Sequence, residues 1–144
     1  MHEVLPWILL FLPLVAAVVI TLFTQADREL SSWLSIGAIG VSFAASVLLF
    51  QLLPAAPFET PERVIHWIDA GSLKIQFRLL VDHLSALMLL VVTGVGFLIH
   101  VYSRGYMAED RSVSRFFACL SLFTFSMLGI VLANNLVMMF IFWE

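Results

Sequence analysis

The chain has 144 residues, of which 62% are hydrophobic and only 12% charged, and its mean hydropathy is +1.04. Ordinary water-soluble domains hold roughly 45–50% apolar and 25% charged residues, so too few charges are present to cover a soluble surface of this size. The net charge of −3, from 7 Lys+Arg against 10 Asp+Glu, and the lack of any basic run give nucleic-acid binding no electrostatic support. A single cysteine, Cys119, excludes an internal disulfide framework and reads as a small hydrophobe within an apolar run.

Crossing the hydrocarbon core takes about 20 apolar residues in a helix. The first such run, Val4–Phe23, is interrupted only by Pro6, Pro13 and Thr21. It reads as a retained helix rather than a cleaved leader, because Met1-His2-Glu3 carries no positive charge and the apolar stretch is too long. The second run, Leu34–Leu53, includes Ser35, Gly37, Gly40, Ser42, Ser46 and Gln51. Gly37, Gly40, Ala44 and Ala45 are expected to form a small-residue face for close helix packing.

Pro54–Asp82 is the longest polar stretch. Its three prolines, at 54, 57 and 61, keep its beginning extended or turned. Leu73, Ile75, Phe77 and Leu79 then alternate with Lys74, Gln76 and Arg78, the period of a strand with one wet face. Val64–Ile68 is the expected partner across a turn at 69–72. The result is a short β-hairpin on the membrane surface, with Trp67 at headgroup depth.

The third run, Leu84–Tyr102, holds Thr93, Gly94 and Gly96 in its middle and His100 near its end; the fourth is Phe116–Leu132. A fifth begins after Asn134-Asn135 and reaches Glu144 after nine residues, roughly 13–14 Å of helix and under half of a ~30 Å core. An N-terminal piece of a longer membrane protein is therefore expected. The fold class is all-α and polytopic: four complete transmembrane helices, the start of a fifth, and a surface hairpin between the second and third. The organisation is one membrane domain, with helices in 1–53, an extramembrane loop in 54–82, and helices again in 83–144. Arg28, Arg104, Arg111 and Arg115 fall on one side and Arg63, Lys74 and Arg78 on the other. The dense short loop between Arg104 and Arg115 favours the cytoplasm for the first side, leaving the N-terminus and hairpin outside it.

Glu144 is the strongest candidate for chemistry. It follows the apolar stretch Leu136–Trp143, and an ionisable group inside a membrane helix usually faces a wet cavity or a partner charge on an ion path. The competing reading is an interfacial glutamate at the end of a surface helix. No Lys or Arg lies inside the four complete runs, so a basic partner must come from further polypeptide. Asp82 reads first as a helix cap. His100 could relay protons, but an interfacial histidine bonded to a neighbour is the preferred reading. Arg115 serves either as partner to an acidic group or as a snorkelling anchor. His2, His66, His83 and His100 show no helical i, i+3 or i, i+4 pairing, so no metal site is expected.

Several stretches carry a family resemblance: Val81-Asp82-His83-Leu84-Ser85, Val92 to Ser103, Gly105-Tyr106-Met107, Arg115-Phe116-Phe117-Ala118, Asn134-Asn135-Leu136 and Phe142-Trp143-Glu144. Together they resemble the antiporter-like L subunits of proton-pumping NADH–quinone oxidoreductase, respiratory complex I. The resemblance implies a protein of many more helices in the inner (cytoplasmic) membrane, working beside other membrane subunits, a neighbouring antiporter-like one in particular. It also implies that Glu144 is the family's membrane-embedded glutamate, paired with a lysine on a later helix. No cofactor is then expected in this chain, with NAD, FMN, iron–sulfur clusters and quinone held by other subunits. Many family members have Gly where this sequence has Phe142, and the ring is expected to crowd the helix near Glu144. A sodium/proton antiporter large subunit is the alternative function, and a structural anchor for a partner complex is a third reading.

Overall fold

A computed structural model describes residues 4–53, 58–59, 65–70 and 73–144. Helix α1 (Leu5–Phe23) opens with Pro6 in its first turn, where the missing N–H costs nothing. Pro13 lies inside the same helix and cannot donate to the carbonyl of Leu9 four residues back. Ser42 of the next helix donates to that carbonyl through a long bond of 3.5 Å. A neighbouring hydroxyl thus takes the place of the lost N–H, which is how membrane helices tolerate proline.

Helix α2 (Arg28–Leu52) is capped by Asp27, whose carboxylate accepts the Leu30 N–H at 3.1 Å. It begins six residues before the apolar run at Leu34. Its first turns are polar, with Glu29 near the positive end of the helix dipole, and hydropathy alone reads such residues as loop. At 25 residues it extends about 37 Å, past a ~30 Å core. Helix α3 (His83–Tyr106) likewise runs beyond Tyr102 and places Arg104 in its last turn, where a cation suits the dipole. Helix α4 (Val113–Leu132) and the eight-residue α5 (Leu136–Trp143) complete the helical part.

Between α2 and α3, β2 (Ile65–Ala70) pairs antiparallel with β3 (Leu73–Phe77), in the register Ile65↔Phe77 through Ala70↔Leu73. The hairpin is present where alternation predicts it. A register shift lies between His66 and Ile68, and β3 ends at Phe77 rather than at Leu79. The next residues instead form β4 (Leu80–Val81), which pairs with β1 (Phe58–Glu59), a pairing the sequence did not reveal. Leu79 forms a single bridge with Ala133 after α4, fastening the loop to the bundle. The prolines of the loop, the turn residues 71 and 72, and the depth of Trp67 lie outside the described residues and side chains.

α1 packs on α2 and α4, α3 packs on α2 and α4, and α5 packs on α4. One apolar cluster (Leu9, Leu10, Leu49, Leu128, Leu132 and neighbours) lies toward the hairpin end. A second, with Ile20, Ile36, Val113, Phe117 and Ala118, lies toward the other. Interhelical hydroxyl pairs supplement them: Ser35 with Ser121 at 2.6 Å, and Ser46 with Thr93 at 2.9 Å. Buried hydroxyls of this kind substitute for the missing hydrophobic drive between helices in lipid.

Small residues set the α2–α3 spacing. A methyl at Gly40 would stand 3.2 Å from the Phe97 ring, and one at Gly94 would stand 3.1 Å from the Phe43 ring. These two rings stack 6.5 Å apart at 8°. Each aromatic therefore lies over the other helix's glycine. Of the small face read from sequence, Gly40 lies under the Phe97 ring and Ala45 is buried in the apolar cluster near the hairpin end, whereas Gly37 and Ala44 are exposed. Outward, Leu22, Phe23, Leu84, Leu98, Leu136 and Phe140 are 63–80% exposed. Four helices are long and apolar enough to cross a membrane, and with polar groups inward and bulky apolar groups outward this is a multi-pass, all-α membrane protein.

Candidate functional site around Glu144

The α4–α5 break is made by Asn134 and Asn135. The Asn135 side chain accepts the Met138 N–H at 2.8 Å and donates to Asn134 Oδ1 at 2.6 Å. That cap starts α5 and sets which residues face α4. Met138 and Phe142, one turn apart, are buried, while Leu136, Val137, Met139, Phe140, Ile141, Trp143 and Glu144 are exposed.

Glu144 closes α5 with its N–H on the Phe140 carbonyl at 3.0 Å. Two residues at 3.6 per turn are roughly 200° of rotation, so Glu144 lies nearly opposite Phe142. Glu144 is exposed and shares the outer face of α5 with Leu136, Val137, Met139, Phe140 and Trp143. Among the described helical residues, Arg28 begins α2, Arg104 ends α3 and Arg115 begins α4. No Lys or Arg is placed mid-helix to face the carboxylate.

Phe142 does not crowd α5. Its ring lies on Gly129 of α4, where no side chain stands, and meets Phe125 edge-on at 5.3 Å and 72°. The bulk expected to disturb the helix near Glu144 is taken up by a glycine across the interface.

The other sequence candidates are dispersed along the bundle. Asp82 caps α3: its carboxylate accepts the Ser85 N–H at 2.6 Å and the Ser85 hydroxyl, and the Asp82 N–H donates to Ser85 Oγ at 3.1 Å. The Ser85 hydroxyl first, and then its backbone N–H, hold this carboxyl below the usual carboxylate range.

His100 is 1% exposed, buried between helices. Its Nδ1 pairs with the Gly96 carbonyl at 2.7 Å, and since a carbonyl only accepts, Nδ1 is the donor. The ring stands 6.3 Å from that of Phe117. Its Nε2 and the buried Ser114 Oγ have no hydrogen-bond partner among the described residues. Arg115 is exposed in the first turn of α4. Arg104 lies with its guanidinium 4.3 Å from the Trp33 ring centroid and 3.6 Å from Glu29, an exposed cluster that joins the ends of α2 and α3. Among the described residues no three His, Cys, Asp or Glu gather as a metal site.

Sequence reading missed three features here: the Asn135 cap, the Gly129 slot and the inward serines. The Asn-Asn pair ahead of an apolar run was the available signal for the first, and the spacing of Ser31, Ser35, Ser42 and Ser46 on one face of α2 was the signal for the serines; the slot has none, because it depends on which residues meet across helices.

A bundle of four candidate spans, a β-hairpin between the second and third, and a fifth helix opened by Asn135 define a polytopic membrane protein. Residues 67–117 match the family model described as "NADH-Ubiquinone oxidoreductase (complex I), chain 5 N-terminus". The chain is 41% identical over 147 residues to a chloroplastic NAD(P)H-quinone oxidoreductase subunit 5 of Zygnema circumcarinatum, covering 96% of this chain and 20% of that relative. It is 40% identical over 149 residues to NAD(P)H-quinone oxidoreductase chain 5 of a Synechocystis species, covering 97% and 21%. With NADH-quinone oxidoreductase subunit L of Mycobacterium tuberculosis the identity is 40% over 144 residues, covering 96% and 22%. The chain spans about a fifth of the length of these curated relatives. Over nearly its whole length the chain is thus similar to the N-terminal part of complex I chain 5 (subunit L) sequences.

Proposed function

We propose that this chain supplies the first membrane helices of a proton-translocating subunit of an NADH–quinone oxidoreductase. Electron transfer from NADH to quinone in other subunits drives the proton movement. The observation that carries the reading is the agreement of oxidoreductase names among relatives matched over nearly the full chain. Those names also favour it over the sodium/proton antiporter.

Glu144 is the proton-exchanging group in this proposal. Its place at the end of an apolar run, on the face of α5 turned away from α4, supports that role. A carboxylate so placed gains and loses a proton according to the cations set beside it. That cation comes from polypeptide outside α1–α4. Asp82 acts as a cap, Arg115 as an interfacial anchor and His100 as a packing residue between helices.

NAD, FMN, iron–sulfur clusters and quinone belong to other subunits of the complex. The partners are those membrane subunits, a neighbouring antiporter-like one in particular, and the lipid bilayer. The membrane is the inner (cytoplasmic) one, with the N-terminus and hairpin on the non-cytoplasmic side. The division 1–53, 54–82 and 83–144 describes one membrane domain with an extramembrane insert.

Affinity purification of the complete gene product from native membranes tests the function. The expected result is copurification with NADH-oxidising, quinone-reducing subunits and NADH-driven acidification of inverted vesicles. Sodium/proton exchange without NADH-oxidising company would overturn it.

A further inference from the structure

Phe142 stands two residues before Glu144 and is held from one side by two residues of α4. Phe125 meets its ring edge-on, and Gly129, one turn further along the same face, lies beneath it. A Cβ placed on Gly129 would overlap three ring atoms: Cε1 at 2.5 Å, with Cγ and Cδ1 nearer still. Because Cγ is the root of the ring, rotation about the ring's own axis gives no relief. Carbon atoms rest about 3.5–4.0 Å apart, so a methyl at this site demands about 1 Å of movement between α4 and α5.

We infer that Gly129 is a positioning residue for Glu144: its bare backbone forms the slot that seats Phe142 and thereby fixes the rotation and depth of α5. This rests on the proton-exchanging role proposed for Glu144. Met138, 2% exposed one turn before Phe142, makes the second anchor, so α5 cannot turn about Phe142 alone. Any shift that relieves an overlap at Gly129 is carried to the carboxylate on the far side of the same short helix. Proton transfer needs heavy atoms within about 2.6–3.2 Å of each other or one bridging water, and a misplacement near 1 Å removes a group from that range. Helix propensity favours the opposite outcome, since alanine is a better residue than glycine inside α4.

The test compares Gly129→Ala, Phe142→Ala and the double variant in the complete protein within its assembled complex, beside Glu144→Gln. Electron transfer from NADH and proton uptake by inverted vesicles are measured separately. Gly129→Ala is expected to lose as much proton uptake per electron as Glu144→Gln. In the double variant the overlap is gone and Met138 still seats α5, so uptake is expected to recover to the level of Phe142→Ala, which lacks the ring but meets no overlap. Should Gly129→Ala fail to assemble, recovery of both assembly and pumping in the double variant supports the inference, and no recovery overturns it. Normal pumping by Gly129→Ala beside a deficient Glu144→Gln overturns the positioning alone. Normal pumping by Glu144→Gln overturns the role of the carboxylate itself.

Discussion

Pro13 and Ser42 show how one hydroxyl maintains a helix that its own sequence interrupts. Ser42→Ala would leave the Leu9 carbonyl, freed by Pro13, without its interhelical donor. Such bonds in membrane bundles contribute about 0.6 kcal/mol on average, and the 3.5 Å length places this one at or below that figure. Ser42→Ala should therefore lower the midpoint of thermal unfolding in detergent slightly, and Pro13→Ala should abolish that sensitivity by restoring the N–H. Additive effects of the two substitutions would contradict the account. His100 belongs to the same scale. His100→Phe keeps an aromatic body against Phe117 and removes both ring nitrogens together, so no polar atom is stranded. The assembled variant should pump protons at the wild-type rate; a pumping defect with intact electron transfer would instead make His100 a relay.

Among the elements, α3 depends most visibly on its first residues. Replacing Asp82 by Ala removes the carboxylate that accepts the Ser85 N–H and hydroxyl, leaving only the backbone N–H of residue 82 on Ser85 Oγ, and should cost about 1 kcal/mol, whereas Asp82→Asn should cost much less. The pH dependence has a definite sign. Because the folded carboxyl is held below its ordinary value, its contribution is fully present above the unfolded value of ~3.9. It is lost as pH falls through the lower folded value. Unfolding midpoints measured from neutrality down to strong acid should separate wild type from Asp82→Ala at the upper end and merge at the lower.

The helices were legible because runs near 20 apolar residues have few alternative structures. Their polar ends were not, as the six residues from Arg28 to Trp33 illustrate: charges and serines satisfying a first turn resemble a loop in hydropathy. The hairpin was legible through its period of two. The β1–β4 pair was not, since two-residue strands about twenty positions apart carry no period. Glu144 could be recognised as a charge after an apolar run, but its direction away from α4 and the fit of Phe142 on Gly129 depend on contacts between helices.

At the scale of the whole molecule, α2, α3 and α4 alternate in direction, and Arg104 beside Glu29 and Trp33 joins the end of α3 to the start of α2. The loop of Arg111 and the β-hairpin therefore lie at opposite ends of the bundle. In a Cys119→Ser background, Glu109→Cys should react with an impermeant thiol reagent only from the cytoplasmic side, and Asp69→Cys only from the other. The reverse pattern would invert the proposed orientation while leaving the fold intact.

The central claim concerns proton exchange at Glu144, and NADH-driven proton uptake by inverted vesicles carrying a fully assembled Glu144→Gln complex tests it most directly. The glutamine keeps nearly the same volume and cannot exchange a proton at neutral pH. The account predicts clearly reduced uptake with the complex still assembled, and wild-type uptake in that preparation would contradict it.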